Sequence, residues 1–286
     1  MSLVYELASL AAAKTARFVQ NLSRKKAQPR VAVVCYGPNR NQKITIHFPK
    51  KRRFKPVVLY WNGGGFLCSG NDDRAAAKRF NRLGWVFISC GCRHMPLHPF
   101  PAQIEDVFLA TEAALGFMRE TGLGKEIICA GNSAGALLAA NVALNSEKRE
   151  EFSLDAVVKG LLLVGGILDA GHFFSRMSPV RRGVISAISR ADTDDFLAFS
   201  PIELIDEETD VPTLSVHGKY DHLAPYANAM RFVRKLNGIT GRRLGSMIEI
   251  DDAAYRHFRL IHGLWLENPA KSRIQREIFR WLDTLE

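Results

Sequence analysis

Carboxylates are scarce in this chain: 29 Asp and Glu stand against 39 Lys and Arg, a formal net charge of +10. That excess permits nucleic acid, anionic membranes or acidic ligands as partners, and it bears on association and solubility rather than on fold. Long hydrophobic runs are missing too. The opening stretch MSLVYELASLAAAKTARFVQNLSRKK has no basic segment ahead of its apolar part, and Glu6, Lys14 and Arg17 interrupt it. It reads as neither a secretory signal nor a spanning helix, so a cytoplasmic location is expected. Cysteines number only five, an odd count, four of them in or beside apolar runs such as VAVVCY, WVFISC and EIICAG. This predicts buried free thiols in a reducing compartment rather than a disulfide framework. Cys90 and Cys92 have no second pair at ligand spacing, and His94, His98, His172, His217 and His222 form no spaced set, so neither metal nor cofactor is expected. Repeats and low-complexity tracts are absent.

What the chain does have is alternation. With 47% hydrophobic and 24% charged residues it has a globular composition, and from Val31 onward short apolar runs alternate with longer amphipathic ones. This is the pattern of an α/β domain with a mainly parallel sheet flanked by helices. Eight strands are expected at 31–36, 43–48, 57–61, 85–90, 126–130, 157–164, 213–216 and 247–250. Helices are expected at 72–83, 102–120, 134–144, 226–236 and 270–285. The turn cluster GPNRNQ predicts a hairpin between the first two strands. A helical pattern over 180–188 falls where a direct crossover belongs, so 171–200 reads as an insertion forming a small helical cap. Leu3, Leu7, Leu10, Ala11, Thr15 and Phe18 recur at helical spacing, which makes 1–30 an amphipathic, cap-like helix on a single domain spanning 1–286.

One motif carries chemistry at once. After the buried run EIICA come Gly131, Asn132, Ser133, Ala134 and Gly135, followed by the helix-forming run ALLAANVAL. A GxSxG set between strand and helix is the context of a nucleophile elbow, where the turn is too sharp for side chains on either flank. It lifts the Ser133 hydroxyl out of the sheet at a helix N-terminus, whose free N–H groups favour developing negative charge. After the strand VVLYW the chain reads Asn62, Gly63, Gly64, Gly65, Phe66. Consecutive glycines leave backbone amides unshielded for an oxyanion, and Ala134 adds a donor from the elbow side.

These motifs together resemble the hormone-sensitive-lipase-like branch of the α/β-hydrolase esterases. Asn62 to Phe66 is similar to that family's HGGGF, Gly131 to Gly135 to its GDSAG, and Arg93 to Asp106 to its YRLAPEHPFPAALED. The resemblance runs from Val57 to the C-terminus and implies an α/β-hydrolase fold with a serine carboxylesterase activity on short to medium acyl esters. Two departures stand out. Asn62 replaces a histidine that fixes the glycine loop, and Asn132 replaces an acid beside the nucleophile.

The hydrolase order asks for an acid and then a histidine downstream. Asp221 follows PTLSVHGKY where the family's acid stands in an HGxxD pattern, with Asp251 and Asp252 as weaker candidates. Two histidines follow the strand MIEI. His262, followed by Gly263 and a final helix as in the family, is favoured over His257. The expected set is therefore Ser133, Asp221 and His262, with Gly64, Gly65 and Ala134 as oxyanion donors and Gly63 as an alternative. Phe66 and Leu67 are expected to line the acyl pocket. Phe173, Phe174, Met177, Phe196 and Phe199 either join that pocket or form the cap's own core. The basic run at 50–55 and the pairs Arg181 with Arg182 and Arg242 with Arg243 read as scattered, solvated charge without a nucleic-acid motif. The expected partner is a small ester, with weak anionic membrane contact as the other candidate.

Overall fold

The computed structural model describes residues 30–53, 55–68 and 73–285. The expected N-terminal helix lies outside the described residues. Eight strands form one sheet in the order β1-β2-β4-β3-β5-β6-β7-β8. They are β1 (Val31–Cys35), β2 (Lys43–His47), β3 (Val57–Trp61), β4 (Phe87–Cys90), β5 (Glu126–Asn132), β6 (Val157–Val164), β7 (Thr213–Gly218) and β8 (Gly245–Ile250). β2 runs antiparallel to both of its neighbours, β1 and β4, and every other pairing is parallel. Tyr36 N–H donates to Gln42 O across the expected hairpin turn.

The central strands are apolar on both faces because helices cover both. On one face Val57, Leu59, Trp61, Cys129, Leu161 and Leu163 pack with α2 (Ala102–Glu120), α3 (Ala134–Leu144) and α8 (Tyr226–Thr240). On the other, Val58, Tyr60, Ile128 and Val216 meet Phe80 of α1 (Arg74–Arg82) and Ile278 and Leu282 of α9 (Arg273–Asp283). Every residue of α3 is buried, so this helix is clamped in place directly behind the elbow. The edge strand β1 alternates instead, which leaves Cys35 exposed while Cys90, Cys92 and Cys129 are buried. Short helices that the periodicity did not announce appear as α4 (Ser146–Glu151), α5 (Ala170–Ser175) and α7 (Thr193–Leu197). The expected insertion helix is α6 (Pro179–Ser189).

The segment after β4 is tied down by a buried ion pair. Asp106 on α2 accepts from Arg93 N–H at 2.6 Å, from Arg93 Nε at 2.9 Å and from Gln42 Nε2 at 2.9 Å. Burial would lower the Arg93 pKa, but hydrogen bonding to the Asp106 carboxylate outweighs it and holds the guanidinium charged. This anchors Phe100 against the glycine-loop residue Phe66, with ring centroids 5.8 Å apart.

Candidate active site

The glycine loop, Ser133, Asp221 and a histidine all leave the sheet at the C-terminal ends of parallel strands, where open α/β sheets form their clefts. Ser133 sits between β5 and α3 with φ 50° and ψ −125°. A non-glycine residue in this region carries a strain of about 1–3 kcal/mol. The buried α3 and the bond from Ser133 N–H to Val164 O at 2.9 Å hold it there. Gly135 permits the turn, since a Cβ on it would stand 2.1 Å from Trp61 O.

Ser133 Oγ lies 2.8 Å from His257 Nε2, and His257 Nδ1 lies 2.7 Å from Asp221 Oδ2. With the carboxylate accepting at Nδ1, the proton belongs on that nitrogen and Nε2 is left to accept the serine hydroxyl. The Asp221 side chain is fully buried, and its Oδ1 accepts from Leu223 N–H and Ala224 N–H, both at 2.9 Å. His217, buried beside it, stands 3.6 Å from Asp221 Oδ2 and donates from Nε2 to Ala224 O at 2.8 Å. Burial lowers its pKa, so His217 is neutral and does not compete with His257 for the carboxylate. In the sequence His217 opens the same HGxxD pattern that ends at Asp221, the local signal of its place beside the acid.

The expectation that His262 partners Ser133 is corrected by this geometry. After β8 the chain turns tightly, with Tyr255 N–H donating to Asp252 O, and passes over Gly218, where a Cβ would stand 2.3 Å from Tyr255 O. That close approach delivers His257 to Asp221. The chain then winds into a wide helical turn, Arg259–Gly263, which carries His262 out to the surface, where its ring stacks on Phe258 at 6.3 Å. Asp251 is likewise outside the site, paired with Lys219 at 2.9 Å.

Asn132 explains its own presence. Its Oδ1 accepts from Gly63 N–H and its Nδ2 donates to Ile261 O at 3.1 Å, so one amide ties the glycine loop to the segment that follows His257. A carboxylate can do the first but not the second. The Gly63 amide is therefore engaged and unavailable as the alternative oxyanion donor. Gly64 and Gly65 adopt φ 131° and φ 60°, and Gly64 O closes the turn by accepting from Leu67 N–H at 3.1 Å. Asn132→Asp should lower the unfolding free energy by about 1–3 kcal/mol by leaving the Ile261 carbonyl without its donor. Urea denaturation measures this, and an unchanged midpoint would mean that the carbonyl finds another partner.

The expected pocket residues part company. Leu67 is 47% exposed, whereas Phe66 is buried. Phe100 stacks on Phe196 at 4.3 Å and meets Phe199 at 5.9 Å, and Phe174 contacts Phe196 at 5.2 Å. The insertion's aromatics thus pack as its own core and seat it against Phe66. Among the described residues no cluster of His, Cys, Asp and Glu is arranged to hold a metal ion.

Residues 58–232, more than half of the chain, match the profile of the α/β-hydrolase-fold family. Esterase LipI of Mycobacterium tuberculosis is 34% identical over 135 residues, covering 44% of this chain and 42% of LipI. Esterase LipC of the same organism is 26% identical over 252 residues, 80% of this chain and 60% of LipC. The chain thus spans roughly half the length of these two relatives. A truncated carbohydrate esterase from gut microbiota superposes with a TM-score of 0.73 at 16% identity, covering 90% of this chain and 96% of the other, a likeness of fold. From the profile match and the three motifs, the chain belongs to the α/β-hydrolase-fold family, in its hormone-sensitive-lipase-like branch.

Proposed function

We propose that the protein is a serine carboxylesterase that hydrolyses short to medium acyl esters through an acyl-enzyme on Ser133. The observation that carries this reading is the hydrogen-bonded chain from Ser133 Oγ through His257 to Asp221, at 2.8 and 2.7 Å. The esterase names of its relatives LipI and LipC support it. Ser133 Oγ attacks the ester carbonyl carbon while His257 Nε2 takes the hydroxyl proton, and Asp221 stabilises the imidazolium. The amides of Gly64, Gly65 and Ala134 receive the oxyanion, aided by the N-terminus of α3. The carbon–oxygen bond to the leaving group then breaks as His257 returns the proton to the departing alcohol. Water, deprotonated in turn by His257, releases the acid and restores Ser133.

A fluorophosphonate probe should label the wild-type chain at a single serine, and Ser133→Ala should abolish the labelling. p-Nitrophenyl esters of graded chain length should show turnover that falls off for long acyl groups. An unlabelled Ser133 in folded protein would leave a catalytically silent hydrolase fold as the better description. Turnover that rises with acyl length would overturn the substrate class.

A further inference from the structure

The structure gathers positive charge that the sequence spreads over separate segments. A groove of about 660 Å³ between the β1–β2 edge and α1 is lined by Arg30, Lys50, Lys51, Arg74, Lys78 and Arg82, with no Asp or Glu. Apolar side chains share the lining, with Val31, Phe48 and Ala77. Among the described residues no carboxylate is ion-paired with Arg30, Lys50, Lys51, Lys78 or Arg82. A cleft at the start of β6 and β7 is richer in acids, with Glu150, Asp155, Asp206, Glu208 and Asp210 beside Arg149, although Asp155 pairs with Lys125 and Asp210 with Arg242. An anionic surface would be attracted to the basic groove. Arg74 also lines a second cavity with Asn62, Asp73, His262 and Leu266.

We propose that this groove docks the protein on the anionic headgroups of a phospholipid bilayer, α1 side down. Three observations favour lipid over nucleic acid. Exposed aliphatic side chains flank the cations, Val31 at 49%, Val33 at 45% and Leu83 at 40%, suited to the headgroup–acyl boundary. The exposed aromatics Tyr220 and Phe258 lie outside the groove lining, whose own rings, His47 and Phe48, are buried and half-buried, so among the described residues no exposed ring stands in the groove as a stacking platform for single-stranded nucleic acid. The sequence leading into Arg30 couples an apolar periodicity at Leu3, Leu7, Leu10 and Phe18 with Arg24, Lys25 and Lys26, a pattern of membrane-surface segments. Attachment is independent of whether Ser133 is catalytic.

The test is co-sedimentation of the full chain with vesicles of pure phosphatidylcholine and of equal parts phosphatidylserine and phosphatidylcholine. Binding is expected to the mixed vesicles alone and to weaken steeply with added salt. Each cation near such a surface contributes about fivefold in partitioning, so K50E/K51E/K78E/R82E should lower it by at least roughly a hundredfold. These four residues are exposed and outside the active site, and thermal melting of the variant verifies its fold without reference to activity. Equal binding of wild type and variant, equal binding to both vesicle types, or no binding to the mixed vesicles overturns the proposal. So does tighter binding to a single-stranded oligonucleotide than to the mixed vesicles at the same salt concentration.

Discussion

Replacing His257 by Ala should lower kcat toward p-nitrophenyl acetate by about 10⁴–10⁶, as much as Ser133→Ala and no further when the two are combined. The reason is that Ser133 Oγ is hydrogen-bonded to His257 Nε2 at 2.8 Å, and removing either partner disables the same step. Asp221→Asn should cost about 10⁴ by reversing which imidazole nitrogen carries the proton. His262→Ala is the contrasting variant: the ring is exposed, stacks on Phe258 and lies outside this chain of hydrogen bonds, so turnover should change little. Steady-state kinetics on the two histidine variants decide the matter, and a silent His257→Ala beside a dead His262→Ala would sink the geometric assignment.

Gly135→Ala should destabilise the protein by about 3 kcal/mol or more, the reverse of what alanine does elsewhere in a helix. In an ordinary helical position the methyl group would add about 1 kcal/mol of stability by restricting the unfolded chain. Here it would sit 2.1 Å from Trp61 O and 2.6 Å from Trp61 C, which are backbone atoms of the wholly buried β3 and cannot swing aside. The sheet or α3 has to move. Because Asn62 and the glycine loop follow Trp61 directly, the same movement displaces the amides proposed as oxyanion donors, so kcat should fall together with the urea midpoint. An unchanged midpoint would mean that the elbow can relax without disturbing β3.

Much of this arrangement was legible in the residues. Strands with continuous apolar runs, such as VVLYW and GLLLV, announce a sheet buried on both faces, and all eight expected strands pair in one sheet. The elbow was legible because its chemistry is local: two glycines and a serine between a strand and a helix leave few conformations open. Asp221 was legible for the same reason, close behind β7. Asn132 and Asn62 read as departures, the first removing a charge beside Ser133 and the second a histidine that fixes the glycine loop. For Asn132 the structure supplies a reason in its two simultaneous bonds to Gly63 and Ile261, elements far apart in the chain.

The histidine shows where sequence stops. His257 and His262 are five positions apart on the same segment, both downstream of the last strand, and nothing local distinguishes a base from a surface ring. The choice depends on how far the chain travels before it meets Asp221, and the tight approach of Tyr255 O to Gly218 shortens that path to reach His257. The charge behaves the same way. Composition alone established the excess of cations, but Arg30, the run at Lys50 and Lys51, and the α1 face are separated by tens of residues, and folding of the β1–β2 edge beside α1 brings them into one groove. Sequence by itself determined the family and put Ser133 and Asp221 forward as nucleophile and acid, because each of these readings rests on a local motif. The tertiary structure decided the base, the bracing of the glycine loop and the distribution of charge, because those depend on contacts whose distance along the chain carries no local signature.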